Sequence, residues 1–273
     1  MLNNGLEIPP VGLGTGLIKY TEAENLSLVL KELLRYPFPL IDTAGVYQKG
    51  EEIVGKILKN LPNKNVFLIT KLANCDQKKG MIKKAFEESL KKLNRDYIDL
   101  YLLHWPQSGT FIDAYLELEE LYYQKKVGAI GVCNFKEHHL EKLLSVATII
   151  PAVNEIERHP LLNQKDLISF CKSLGILPVA YSPLAKMDKK ISNSEIFKDL
   201  EKKYNKSISQ IIFRWNYQNA VTTIGHTNSI NRVQEYQEIF DFELTEEQLG
   251  LIDSLNENIR FWPDSDNCDF SKL

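Results

Sequence analysis

The sequence predicts an α/β protein: a closed (β/α)8 TIM barrel with a short N-terminal hairpin and an extra C-terminal helix and tail. Three observations predict it. Short apolar runs recur at 11–15, 38–43, 65–71, 98–104, 128–134, 152–157, 177–182 and 221–226. The stretches between them carry Leu, Ile and Val at i, i+3 and i+4 with charges between, as a helix with one buried face does. The runs themselves are almost continuously apolar, as parallel strands covered on both faces must be, and the helices supply the crossovers that parallel pairing needs. Eight such units within roughly 250 residues is the TIM-barrel pattern. A doubly wound open sheet is the runner-up, because periodicity does not show whether a sheet closes.

From the N-terminus, LNNGLEIP (2–9) reads as a hairpin around Asn4-Gly5 that caps the bottom of the barrel. TEAE (21–24) matches a capping box and opens a helix over 22–36. Further helices are expected over 50–61, 79–93, 111–126, 137–146 and 164–174, then a pair over 194–204 and 207–219, then 229–240. TEEQ (245–248) is a second capping box, opening the extra helix over 246–257. The tail, 258–273, has no periodicity and is expected near the active-site mouth. No Pro/Gly/Ser linker divides the chain, so residues 1–273 read as one domain.

Composition excludes several function classes. The chain is 44% hydrophobic and 25% charged, the balance of an ordinary soluble protein. A net charge of −3 leaves no basic field for nucleic acid. No apolar run is long enough to span a membrane, and the N-terminus lacks a secretory signal pattern. Cys75, Cys133, Cys171 and Cys268 are scattered without a CxxC pair, which points to a reduced, cytoplasmic chain with inert thiols. No HExxH, GxSxG or GxxxxGK[ST] pattern occurs, and the glycines at 12–16 are too partial for a Rossmann site. His138 and His139 are adjacent on an expected helix and should point in different directions, so no metal is expected.

The residues at the ends of the strands are informative, because the C-terminal strand ends form the active-site face of such a barrel. Thr15, Asp42, Lys71, His104, Asn134, Glu157 with His159, Tyr181 with Ser182, and His226 with Thr227 stand there. Singly, each has a plain structural role: a cap, a solvated lysine, a hydrogen-bonded histidine. Together they suggest a reaction. A tyrosine titrating near pH ~10 is a poor acid unless a cation stabilises its phenolate. Lys71 can supply that charge for Tyr47, Asp42 can hold Lys71, and His104 can donate to a substrate oxygen. The set suits a carbonyl becoming an alkoxide, and a cofactor must bring the hydride.

These residues lie in longer motifs: GLGT (12–15), DTAGVYQKGEEIVG (42–55), ITK (69–71), LYLLHWP (100–106), IGVCNF (130–135), PAVNEIERHP (151–160), AYSPL (180–184) and FRW (213–215). In order and spacing they resemble the aldo-keto reductase family over nearly the whole chain. The resemblance implies an NADPH-dependent reductase of aldehydes and ketones with Asp42, Tyr47, Lys71 and His104 as tetrad and Tyr47 as proton donor. It implies that Asn134 and Glu155 contact the nicotinamide amide, that Tyr181 stacks on its ring, and that Ser182, Pro183 and Leu184 touch the cofactor's bridge. Gly14, Thr15, Cys133 and Ile224 are further implied cofactor contacts. His226, Thr227, Asn228, Arg232, Glu235 and Tyr236 would surround the adenosine phosphate at a helix start, where anion binding has its own rationale. Trp105 would line the substrate pocket with Tyr47 and His104.

The sequence departs from the family at several of these positions. Glu155 replaces a usual Gln, Cys133 a Ser, His226 a Lys, Gly225 a Pro and Tyr236 an Asn. Gly16 and Ala73 stand where many relatives carry pocket aromatics, suggesting an open pocket bounded by Trp105, Phe261 and Trp262. NADPH is expected to be preferred, with NADH possible because His226 is a weaker cation. A monomer or weak homodimer is expected. The alternative from another class is a nucleotide-sensing protein on the same barrel with little turnover.

Overall fold

The computed structural model describes residues 1–16, 23–47, 49–61 and 65–267. Eight parallel strands close on themselves in sequence order: β1 (Val11–Gly14), β2 (Leu40–Asp42), β3 (Phe67–Leu72), β4 (Ile98–Leu103), β5 (Val127–Cys133), β6 (Val153–Glu157), β7 (Leu177–Tyr181) and β8 (Thr222–Gly225). β8 returns to β1 through Val11↔Thr223 and Leu13↔Gly225. The expected closed barrel is therefore the observed one, and every expected strand is present.

Strand alternation decides what fills the barrel. Leu40, Phe67, Ile69, Leu100, Leu102, Ala129, Val153, Val179 and Ile224 make one interior cluster. Ile41, Leu68, Tyr101, Ile130, Val132 and Ile156, at the alternate positions, belong to the cluster between the wall and the helices. Leu2 joins the interior cluster, with Leu6 and Ile8 packed against it, so the N-terminal segment plugs the bottom of the barrel. The expected hairpin there is reduced to its turn. Leu2 N–H donates to Leu6 O (2.9 Å), Gly5 N–H donates to Leu2 O (3.0 Å), and no ladder continues. Gly5 takes φ +85°, the left-handed conformation this three-residue turn needs.

The helices are α1 (Ala23–Leu33), α2 (Gly50–Lys59), α3 (Asn74–Lys78), α4 (Ile82–Leu93), α5 (Phe111–Tyr123), α6 (Glu137–Leu144), α7 (Lys165–Ser173), α8 (Lys189–Ser192), α9 (Glu195–Tyr204), α10 (Ile208–Gln218), α11 (Ile230–Gln237) and α12 (Glu246–Asp253). The TEEQ capping box forms as expected: Thr245 Oγ1 accepts from Gln248 N–H and Gln248 Oε1 accepts from Thr245 N–H. The TEAE box falls partly on residues 21 and 22, outside the described residues, as do Cys268 and the rest of the tail beyond 267. Two short helices, α3 and α8, were not expected, because neither is long enough to show an apolar period. α3 buttresses the next loop: Asn74 Nδ2 donates to Gln107 Oε1 (3.3 Å) and Gln77 Nε2 to Thr110 Oγ1 (3.1 Å).

Candidate active site

The same alternation that fills the barrel places the site. Two residues above Leu40, Ile69, Leu102, Gly131, Val153 and Val179, on the same inward face, come Asp42, Lys71, His104, Cys133, Glu155 and Tyr181. With Tyr47 from the β2–α2 loop, these side chains reach the top of the barrel, where all but Lys71 line a cavity of about 300 Å³. Gly14, Gly16, Val46, Trp105, Asn134, Ser182, Ile224, Gly225, His226 and Trp262 complete its wall. That volume is at the lower end of small-molecule sites.

Beneath the cavity Lys71 Nζ donates to Asp42 Oδ2 and to Thr43 O (3.2 Å), and lies 3.3 Å from Glu155 Oε1. All three side chains are buried. Burial works against the charge of Lys71, but Asp42 and then Glu155 overrule it and hold its pKa well above the ordinary value. Lys71 Nζ sits 5.4 Å from the centre of the Tyr47 ring. Burial raises the Tyr47 pKa, Lys71 pulls it down, and Asp42 and Glu155 push it up again. The His104 ring stands edge-on to Tyr47, 5.6 Å between centroids. Burial, then the Lys71 charge, lowers its pKa to about 3, so His104 is a neutral imidazole at any working pH.

Past β5 and β7 the chain turns with positive φ at Asn134 (65°) and Ser182 (50°), an uncommon conformation for residues with side chains. Asn134 Nδ2 donates to His104 O (3.1 Å), and Tyr181 OH donates to Asn134 Oδ1 (2.7 Å). The Tyr181 ring is thereby held at the cavity wall. Trp262 closes one side, its indole N–H on Ser182 Oγ (2.8 Å).

Several expected site residues do other work. Thr15 is buried against Thr43, hydroxyl to hydroxyl at 2.8 Å, and does not line the cavity. Glu157 and His159 pair with each other (3.1 Å), and Glu157 accepts from Phe261 N–H (2.7 Å) and Trp262 N–H (3.3 Å); they anchor the tail. Phe261 packs on His159 rather than lining the cavity. Ala73 precedes α3 and is likewise absent from the cavity wall, whereas Gly16 is on it. Pro183 is buried and Leu184 half-buried against the α10 side of the molecule.

The β8–α11 segment is exposed at His226, Asn228 and Ser229, with Thr227 and Arg232 half-exposed. Arg232 already donates to Ser209 Oγ (2.5 Å), and Glu235 accepts from Ser207 Oγ (3.0 Å). Tyr236 is turned inward, stacked on Phe213 at 4.3 Å and buried. It supports β8, at a position where the resemblance implies an adenosine contact. Gly225 explains why: a Cβ there would meet Tyr236 Cε2 at 2.6 Å and Phe213 Cζ at 2.8 Å. The two departures, Gly225 and Tyr236, are one packing solution.

His138 and His139 do not diverge as expected. Both Nε2 atoms approach Asp266 Oδ1, at 3.0 and 3.3 Å, the one group of metal-ligand type among the described residues. His139 Nδ1 accepts Lys136 N–H at the start of α6, which leaves the ring's proton on Nε2, facing the carboxylate. With Lys136 Nζ on Asp264 and Asp266, both at 2.7 Å, the group latches the tail to α6. Val46, beside Tyr47 on the cavity wall, carried no sequence signal, being an exposed apolar residue in a loop.

A half-buried phenol with a fixed cation beneath it and a neutral imidazole beside it can give a proton to an oxygen that is gaining charge. That defines an oxidoreductase site for carbonyl chemistry at the mouth of a parallel barrel. The family model described as Aldo/keto reductase family matches residues 10–257. Glyoxal reductase of Bacillus subtilis (strain 168) is 41% identical over 271 residues, covering 98% of this chain and 96% of its own. Methylglyoxal reductase DkgA of Escherichia coli (strain K12) is 36% identical, covering 97% of this chain and 96% of its own. Among solved structures, the Bombyx mori aldo-keto reductase in complex with NADP superposes with a TM-score of 0.89 at 31% identity, covering 97% and 94% of the two chains. The chain belongs to the aldo/keto reductase family, and it is an enzyme, an oxidoreductase.

Proposed function

We propose that this chain reduces small aldehydes and ketones with NADPH, that 2-oxoaldehydes such as glyoxal and methylglyoxal are among its substrates, and that Tyr47 is the proton donor. The observation that carries this reading is the placement of Lys71 under Tyr47 at the floor of the cavity. The residues present fit a nicotinamide. Tyr181, held by its hydroxyl on Asn134, lines the cavity with an aromatic ring, and Glu155 Oε2 is buried without a hydrogen-bond partner. NADPH, when bound, supplies the hydride.

Each residue then has one task. His104 donates a hydrogen bond to the carbonyl oxygen and, being neutral, does not compete for the proton. Tyr47 passes its hydroxyl proton to that oxygen as the carbonyl carbon is reduced, and Lys71 stabilises the phenolate left behind until water reprotonates it. Trp105 and Trp262 exclude water from the two sides. Thr227, Asn228, Arg232 and the start of α11 take the cofactor's phosphate end, with His226 as the weaker counterpart of a lysine. The chain acts in a reducing cytoplasm, where Cys75, Cys133 and Cys171 remain unpaired. Among the described residues no helix is long and apolar enough to cross a membrane.

The test is NADPH oxidation at saturating cofactor with glyoxal, methylglyoxal and an aromatic aldehyde. Turnover that Tyr47→Phe removes, with NADPH fluorescence quenching retained, supports the reading. Binding of NADPH without consumption by any carbonyl would establish the sensor instead.

A further inference from the structure

The floor of the cavity holds one cation and two carboxyl groups. Lys71 Nζ contacts Asp42 Oδ2 and approaches Glu155 Oε1 at 3.3 Å, and all three side chains are buried. Two ionised carboxylates around one ammonium would leave an uncompensated negative charge in the barrel, which burial heavily disfavours. One carboxyl must therefore keep its proton. Asp42 makes the closer contact with Lys71, so the proton resides on Glu155. Its other oxygen, Oε2, has no partner, although Glu155 lines the cavity.

We propose that Glu155 is a positioning residue that works as a neutral carboxylic acid, holding the Asp42–Lys71 pair with its proton and offering Oε2 to the cofactor's carboxamide, and that its ionisation switches the site off. This rests on the reductase reading above. A neutral carboxylic acid offers one donor and one acceptor, as a side-chain amide does with its N–H and C=O. An ionised one is acceptor-only, and its charge lies next to Lys71, where it opposes the one charge that lowers the Tyr47 pKa against burial. The groups facing Glu155 are Asp42 from β2, Tyr47 from the β2–α2 loop, Lys71 from β3, Cys133 from β5 and Tyr181 from β7. Of these only Lys71 favours ionisation. Burial first, and Asp42 next, raise the Glu155 pKa to about 8.

Linkage gives the sign. A carboxyl titrating near 4.5 when unfolded and near 8 when folded stabilises the fold below pH 4.5 and loses that contribution as pH rises to about 8. Glu155→Gln is neutral throughout and removes this slope.

The experiment compares wild type with Glu155→Gln from pH 5.5 to pH 9.5 in three readouts: melting temperature, Kd for NADPH by fluorescence quenching, and kcat/KM for methylglyoxal. The melting-temperature gain of the variant over wild type should grow from pH 5.5 to about pH 8 and then level. In wild type, kcat/KM should fall about tenfold per pH unit above pH 8, and NADPH binding should weaken there; Glu155→Gln should lose both alkaline declines. Infrared difference spectra of the two proteins should show a carboxylic-acid carbonyl band in wild type at pH 6.5, a readout that does not depend on turnover. A pH-independent melting difference, together with matching alkaline limbs in the two proteins, would overturn the proposal. If neither protein reduces any carbonyl, the reductase reading fails, while the infrared band and melting slope still decide whether Glu155 is protonated.

Discussion

The β2–β4 side of the mouth and the β8–α11 side present opposite designs. On the first, Asp42, Lys71 and His104 stand at successive inward positions of adjacent strands, the first two buried and the third half-buried. Lys71 and Asp42 are paired and the His104 ring packs on Tyr47, so the arrangement is set before any ligand arrives. On the second, His226 and Asn228 are exposed, Arg232 is already engaged by Ser209, and Tyr236 has been taken into the core. Strand-end residues of a closed barrel inherit their direction from the pleat, and this fixes chemistry to within a hydrogen bond. Residues on the loop and first turn after β8 inherit no such direction and must be recruited by the ligand. The difference teaches that the reaction is preorganised and cofactor preference is adjustable.

The largest expected effect breaks the first side. Tyr47→Phe and Lys71→Met should each lower kcat by on the order of 10²- to 10⁴-fold, the range for removing a general acid or its activating charge. NADPH affinity in Tyr47→Phe should stay within about twofold, because the hydroxyl removed serves the carbonyl oxygen in the transition state and not the cofactor. Single-turnover kinetics with methylglyoxal checks this; a Tyr47→Phe protein with near-normal kcat would assign proton transfer elsewhere.

The next effect tests whether the second side is built by packing. Gly225→Ala should destabilise the protein by about 1–3 kcal/mol, because its methyl would overlap the Tyr236 and Phe213 rings. Gly225→Ala combined with Tyr236→Asn should recover part of that loss, by emptying the space the methyl needs. Urea unfolding of the single and double variants decides it, and simple additivity would show that the two positions are independent.

A smaller effect concerns acid stability. His104 is held neutral, near pKa 3, against about 6.5 when unfolded. Its contribution to stability is complete above pH 6.5 and is lost as pH falls toward 3, because the unfolded chain takes up the proton first. His104→Gln should flatten the melting-temperature decline between pH 6.5 and pH 4. An unchanged slope would show that the imidazole is protonated in the folded state.

Much of the first side was legible in the sequence, and much of the second was not, for one physical reason. Lys71 and His104 end apolar runs, and Asp42 and Tyr181 stand as the ionisable residue next to a run's end, so the period that reveals the strand also reveals which way they point. Glu155 and Cys133 sit at the same inward level but one or two positions before the run ends, where a strand-end reading selects Glu157 and Asn134. Glu157 and His159 ended a run and still proved structural, because the tail folds back onto them, a long-range contact that no local pattern encodes. Tyr236 lies at a helical position whose inward face is visible only when Gly225 is placed beneath it. The small α3 and the His138–His139–Asp266 latch depend on side-chain hydrogen bonds, which leave no periodic trace.

The smallest expected effect sharpens the comparison most, since it asks whether the recruited side responds to charge alone. A lysine carries a fixed charge, whereas an imidazole is the weaker cation of the two. His226 is exposed, and its backbone oxygen accepts from Tyr236 OH at 3.4 Å. His226→Lys should therefore raise the NADPH/NADH affinity ratio at pH 8 by about two- to fivefold, the worth of one exposed ion pair. NADH affinity should barely move, because NADH lacks the phosphate. Salt should erode the gain, as screening requires of an exposed pair. Fluorescence titration of both cofactors gives the ratio directly. A ratio unmoved by the substitution would place the phosphate on Arg232 and Thr227 alone, and would make the β8–α11 side as preorganised as the tetrad.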